Sequence, residues 1–162
     1  MDERFAEFVA AETPRLLRVA YGLTGNPHDA WDLVQEALVR VGMRWRTVGD
    51  GNPGGYAHTT MVRLNIDRGR RLSRERLPGV LPAHDAPVRV DAVLDPALVQ
   101  ALRGLPRQQR AAVVLRALED LDHAGMAERL GCSVGTARSH LSRGLARLRE
   151  IIAEQEASGH GA

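Results

Sequence analysis

The sequence predicts an all-α protein of two small helical domains joined by a proline-containing linker, and three observations carry that prediction. Leu, Ala and Arg are abundant, and all three favour helices. The only aromatic residues are Phe5, Phe8, Tyr21, Trp31, Trp45 and Tyr56, so a core has to be aliphatic. Apolar residues recur at intervals of three and four along most of the chain, but between Leu72 and Asp91 the periodicity stops and Pro78, Pro82 and Pro87 follow one another. With 162 residues, 44% hydrophobic and 26% charged, the chain falls in the globular range and has room for one ordinary or two small domains.

Each element has its own signal. Phe5, Phe8, Val9, Leu16, Leu17 and Ala20 mark a first helix over about Glu3 to Tyr21, which Pro14 should kink or split. Gly22-Leu-Thr-Gly-Asn-Pro27 is a turn in which Asn26 is a helix N-cap and Pro27 the first helical residue, so a second helix runs to about Trp45. Gly49-Asp-Gly-Asn-Pro-Gly-Gly55 breaks the chain, and Tyr56 to about Arg71 forms a third helix. After the linker, helices are expected over Asp95 to Arg103, Pro106 to about Ala117, Asp122 to Leu130 and Ser133 to about Glu154, with Gly104 and Gly131 as stops. The expected organisation is therefore 1–72 as the N-terminal domain, 73–92 as linker, 93–155 as a C-terminal helix-turn-helix bundle and 156–162 as a flexible tail.

Several functional classes are disfavoured. No run of eighteen apolar residues exists, and no basic segment leads into a hydrophobic stretch after Met1-Asp2-Glu3, which implies a cytoplasmic protein without membrane insertion. Cys132 is the single cysteine, so no internal disulfide and no cysteine-rich metal cluster can form. It stands in a turn beside a helix N-terminus, where an inert packed thiol is favoured over a redox sensor. No histidine pair has helical ligand spacing, and no nucleophile–base set, phosphate loop or paired-carboxylate site is present. An enzyme, a cofactor, a metal and a small-molecule substrate are not expected.

Charge points toward a polyanion. The net charge is only +2, yet it is distributed in blocks: −3 over residues 1–40, +5 over 41–76, −2 over 77–100 and +4 over 101–150. Two basic blocks, each ending a helical segment, fit two separate nucleic-acid contacts. All 22 basic residues are arginine, which reflects codon bias more simply than function.

The helix pair 122–130 and 134–150, joined by Gly131-Cys132-Ser133, matches a helix-turn-helix, whose second helix enters the major groove. At 100° steps, Val134, Ala137, Leu141, Leu145, Leu148 and Ile152 fall on one stripe about 80° wide. Thr136, Ser139, His140, Arg143 and Arg147 gather opposite it with no carboxylate among them, and Ser133 stands at the start. Small and basic hydrogen-bonding groups of this kind suit phosphates and base edges. Arg138 borders the stripe and could reach a phosphate or cover the core with its stem.

The first half differs. On the second helix Ala30, Val34, Ala37, Leu38 and Val41 form the apolar face, while His28, Asp29, Asp32, Gln35 and Glu36 form an acidic one that suits solvent or an arginine-bearing protein partner. The third helix carries Arg63, Arg68, Arg70 and Arg71, with Arg74 and Arg76 beyond, and Trp45, Tyr56 and His58 lie at or near its start. Rings interleaved with cations suit exposed bases, although the two rings serve equally as core.

These motifs resemble an extracytoplasmic-function (ECF) sigma factor of bacterial RNA polymerase, of the sigma-70 family and the actinobacterial type, along nearly the whole chain. Ala30-Trp-Asp-Leu-Val-Gln-Glu-Ala37 is similar to the family's polymerase-clamp helix, which implies polymerase contacts for Asp32, Gln35 and Glu36. Leu105-Pro-Arg-Gln-Gln-Arg110, Val113-Val-Leu-Arg116, Leu130-Gly-Cys-Ser-Val-Gly-Thr-Ala-Arg-Ser139 and Leu141-Ser-Arg-Gly-Leu-Ala-Arg-Leu-Arg149 resemble the promoter-reading domain. The implied partners are core RNA polymerase and promoter DNA, and a dedicated anti-sigma factor is common in the family. The resemblance places Ser133, Thr136, Arg138, Ser139, His140, Arg143 and Arg147 on the upstream element, and Trp45, Tyr56, His58, Arg63, Asn65, Arg68, Arg70 and Arg71 on the downstream one. Two positions depart from the pattern: Arg63 stands where relatives usually carry an asparagine that captures a flipped base, with Asn65 two residues on, and Gly125 stands where a glutamate is frequent. A stand-alone helix-turn-helix regulator and a degenerate sigma-like interaction protein are the alternatives.

Overall fold

A computed structural model describes residues 2–74 and 94–159, and these contain eight helices and no strand. The N-terminal half holds α1 (Glu3–Thr24), α2 (Pro27–Met43), the short α3 (Trp45–Val48) and α4 (Pro53–Arg74). The C-terminal half holds α5 (Pro96–Arg103), α6 (Arg107–Leu118), α7 (His123–Leu130) and α8 (Val134–Gly159). Most of the expected linker, with Arg76, lies outside the described residues.

Caps set most boundaries. Asn26 accepts the backbone N–H groups of His28 and Asp29 at 2.8 and 3.2 Å, and Asp95 and Asp122 do the same for Ala97 and Gly125, each at 2.8 Å. Gly25 and Gly131 end α1 and α7 in the left-handed region, at φ 69° and 71°, and each donates its N–H back into the last turn. Four expectations change. α1 runs through Pro14 without a break: Pro14 and Ala10 are both exposed, so the carbonyl that loses its partner faces water. α2 ends at Met43, and Trp45 starts a separate turn of helix. α4 begins at Pro53 and extends to Arg74, past the expected linker boundary. α8 continues to Gly159, so residues 156–159 are helical and not tail.

The two halves share one apolar core. Leu16, Val19 and Leu23 of α1, Leu33 and Val34 of α2, and Met61 and Val62 of α4 join Val114 and Leu115 of α6 and Met126 of α7 in a single buried cluster. α1 packs on α5 and α6, and α4 on α6 and α7. The close approach needs Gly22: a Cβ there would stand 3.2 Å from the Val114 side chain across the seam. Arg110 fastens the same seam by donating to the carbonyls of Leu23 at 2.7 Å, Leu105 at 2.9 Å and Arg103 at 3.3 Å. Its burial, with Arg107 and Arg103 nearby, brings its pKa down to about 10, so it stays charged at neutral pH.

Candidate nucleic-acid interface

The helix-turn-helix is built by α7, the Gly131 turn and α8. Ser133 accepts the Thr136 N–H at 3.1 Å, and its hydroxyl donates to the Thr136 hydroxyl at 2.9 Å, so Ser133 starts α8 while sitting on its exposed face. Ala137, Leu141 and Leu148 are buried and Leu145 and Ile152 pack against the core, but Val134 is 43% exposed because the first residue of α8 projects beyond α7. Gly144 lies against α6, where a Cβ would meet Val113 at 2.8 Å. Thr136, Arg138, Ser139, Arg143 and Arg147 are exposed and His140 is half-buried. The face is not wholly free of acid at its far end, since Arg147 pairs with Glu150 at 3.0 Å. Burial and the neighbouring Arg143 lower the pKa of His140, so it presents a neutral hydrogen-bonding imidazole. Cys132 packs against the core, and burial raises its pKa, which agrees with an inert thiol.

The face expected on α4 is arranged differently. Arg63, Arg70 and Arg71 are exposed, and Arg68 is tied to Glu36 of α2. Trp45 and Tyr56 pack against the core, and Trp45 lies 5.2 Å from the Phe5 ring and 5.6 Å from that of Phe8 while its indole N–H donates to Asp2 at 3.0 Å. Of the two readings open for these rings, packing is the one the structure displays. His58 and Asn65 are corrections to the expected surface, since they are 2% and 1% exposed. The reason is the C-terminal half, joined for His58 by Glu12 of α1 at 2.9 Å from Nε2. Arg107 donates to both the backbone carbonyl and the side-chain oxygen of Asn65 at 3.0 Å, and Glu119 lies 3.6 Å from His58 Nδ1. Arg63 also faces the seam and donates to the Glu128 carbonyl in the last turn of α7 at 2.8 Å, a contact favoured by the helix dipole. A cleft of ≈520 Å³ opens beside this seam, lined by Arg70, Arg107, Gln108 and His140 among others, so the two basic blocks border one cavity.

On α2, Asp32 and Gln35 are exposed as expected, whereas Glu36 is partly neutralised by Arg40 at 3.3 Å and by Arg68. Sequence reasoning missed Val39 and Met43, which are 61% and 80% exposed on the same side. Their signal was the i, i+4 continuation of Gln35 outside the apolar stripe. With Trp31, Phe5 and Val9 they line a groove between α1, α2 and α3. No described helix is long and apolar enough to cross a membrane.

Family comparisons match this layout half by half. Sigma-70 region 2 matches residues 8–75, and Sigma-70 region 4 matches residues 96–148. The RNA polymerase sigma-E factor of Streptomyces coelicolor is 37% identical over 94% of this chain and 88% of its own length, and that of Streptomyces antibioticus is 36% identical over 91% and 84%. The chain belongs to the ECF RNA polymerase sigma factors. It spans a smaller share, 61%, of a third relative, the ECF sigma factor SigE of Mycolicibacterium smegmatis, at 38% identity over 91% of this chain. Among solved structures the fold is similar to the sigma factor RpoE of Bartonella quintana, crystallised with the anti-sigma factor NepR, at a TM-score of 0.71 and 23% identity over 94% of this chain and 98% of that one. It is also similar to CnrH, solved with the cytosolic domain of CnrY, at a TM-score of 0.60 and 22% identity over 93% and 88%. Membership makes this sigma factor an initiation factor and not an enzyme.

Proposed function

We propose that this sigma factor directs core RNA polymerase to promoters in the cytoplasm, with the C-terminal half, residues 93–155, reading an upstream element as duplex through Ser133, Thr136, Arg138, Ser139, His140, Arg143 and Arg147. The observation that carries the reading is the exposed, basic face of α8 directly after the left-handed turn at Gly131. The N-terminal half, residues 1–72, docks on polymerase through Asp32, Gln35 and Glu36, and the exposed Val39 and Met43 extend that face with apolar surface that water does not favour. The exposed Arg63, Arg70 and Arg71 of α4 hold an opened downstream strand, with Arg68, Asn65, His58, Tyr56 and, from α3, Trp45 behind them. Residues 73–92 join the two halves in sequence. Neither half binds a promoter tightly alone, and assembly on polymerase supplies the effective concentration. An anti-sigma factor is a further partner class, because the similar sigma factor RpoE was crystallised with one.

The test is transcription in vitro with homologous core polymerase on fragmented genomic DNA, with the 5′ ends sequenced. Discrete new starts that share two spaced elements are the expected result. Polymerase binding without starts would instead favour a degenerate interaction protein, and tight operator binding without polymerase a stand-alone regulator.

A further inference from the structure

Around Arg107 the protein gathers positive charge that it does not neutralise. Arg107 is half-buried, yet its hydrogen-bond acceptors are the backbone carbonyl and the side-chain oxygen of Asn65, both neutral and both at 3.0 Å. No ion pair joins it to a carboxylate among the described residues. Burial lowers its pKa, and the field of Asp29 offsets this only in part because Arg68 adds to the lowering. Arg68 is itself already matched by Glu36. Arg110, farther along α6, donates to three carbonyls and to no carboxylate. A partly buried charge costs free energy until an opposite charge meets it, so Arg107 is a cation still open to an anion.

Arg107 lines the ≈520 Å³ cleft together with Ile66 and Arg70 of α4, Gln108 of α6 and His140 of α8, and no carboxylate is among the lining residues. Arg70 is exposed, and its one ion pair is with Asp67 at 4.0 Å on its own helix. Gly69 makes room for the second cation: a Cβ there would stand 2.5 Å from Arg107 Nε, so the arginine crosses α4 only over glycine. The geometry points to this cleft as a binding site for a free mononucleotide, with its phosphates between Arg70 and Arg107 and its ribose or base against Ile66, Gln108 and His140. Two guanidinium forks on different helices suit the several oxygens and the multiple charge of a phosphate chain. The aliphatic Ile66, the Gln108 amide and the neutral His140 imidazole supply the apolar wall and the few polar groups that a base needs, in a volume within the usual range for a small-molecule pocket. The proposed function assigns Arg70 and His140 to DNA, but it has no use for Arg107 or Gln108.

Calorimetric titration of the full chain with ATP, GTP, inorganic pyrophosphate and a duplex oligonucleotide tests the site. No polymerase is present, so the outcome is separate from that of the transcription assay. One of the two nucleotides is expected to saturate a single site with a Kd below about 1 mM, with pyrophosphate weaker, and the imidazole resonances of His140 should move along the same curve. Arg70→Ala, at an exposed position that folding does not depend on, is expected to weaken nucleotide binding about tenfold or more, and Arg107→Gln at least as much. Arg18→Ala, an exposed cation of α1 outside the cleft, should leave the titration unchanged. Absence of saturation with both nucleotides, or binding that Arg70→Ala does not weaken, would overturn the site. Saturation by the duplex alone would overturn it as well, since the phosphates held there would then be those of a DNA backbone.

Discussion

α4 and α8 carry the two sets of candidate DNA contacts, and they are in opposite conditions. α8 presents Thr136, Ser139 and Arg143 to solvent, while α4 turns His58 and Asn65 into a seam with the other half. A reading face that needs only duplex can be finished in the free protein. On α4 the cations Arg63, Arg70 and Arg71 stay exposed, and the groups that are covered are His58 and Asn65. The contrast separates stability from recognition: changes at α8 should alter DNA binding alone, and changes at the α4 seam should alter folding energetics first.

The largest effects should come from one substitution on each side. Arg143→Ala is expected to weaken upstream-element binding by about 1–3 kcal/mol and to relax discrimination at one base position, with thermal stability unchanged; binding to a panel of single-base variants checks it. Asn65→Ala removes the side-chain oxygen that accepts from the half-buried Arg107, leaving only the residue-65 carbonyl, and should destabilise the chain by about 1–3 kcal/mol in urea unfolding. Were Asn65→Ala neutral in unfolding, the Arg107–Asn65 side-chain contact would contribute nothing.

Next comes pH. Burial lowers the pKa of His58 against the opposing pull of Glu119 and Glu12, with Arg129 adding to the lowering. In the unfolded chain the imidazole returns toward 6.5. Since the folded value is the lower one, the stability it carries is full above about pH 6.5 and is lost as pH falls from there through the folded-state value. Urea unfolding at pH 7.5 and 5.5 should therefore show stability falling on acidification, and His58→Gln should reduce that response. The smallest effect belongs to Gly125. It is the third residue of α7, where glutamate would complete a capping box with Asp122, and Gly125→Ala should raise stability by at most about 1 kcal/mol. The gain is limited because the new Cβ sits 3.2 Å from the capping carboxylate oxygen.

Local features were legible in the sequence because their causes are local. Asn26, Asp95, Asp122 and Ser133 cap the helices they stand before, and the stripe from Ala137 to Ile152 meets the core. Pro14 does not split α1, because its freed carbonyl lies on an exposed stretch of the helix, which sequence alone does not reveal. The seam was not legible at all. Arg107 meets Asn65 across 42 residues of chain, and Arg110 meets Leu23 across 87, and no spacing rule links them. Arg63 illustrates the same gap: in the sequence it reads only as a departure from the family's asparagine, and in the structure it donates to the last turn of α7 of the other half.

The cover over Asn65 also sets an order for biosynthesis. A ribosome delivers α4 before Arg107, so the nascent N-terminal half leaves the exit tunnel with the Asn65 side chain still solvated. During that interval the chain carries apolar seam surface that only the later helices α5 to α7 can cover.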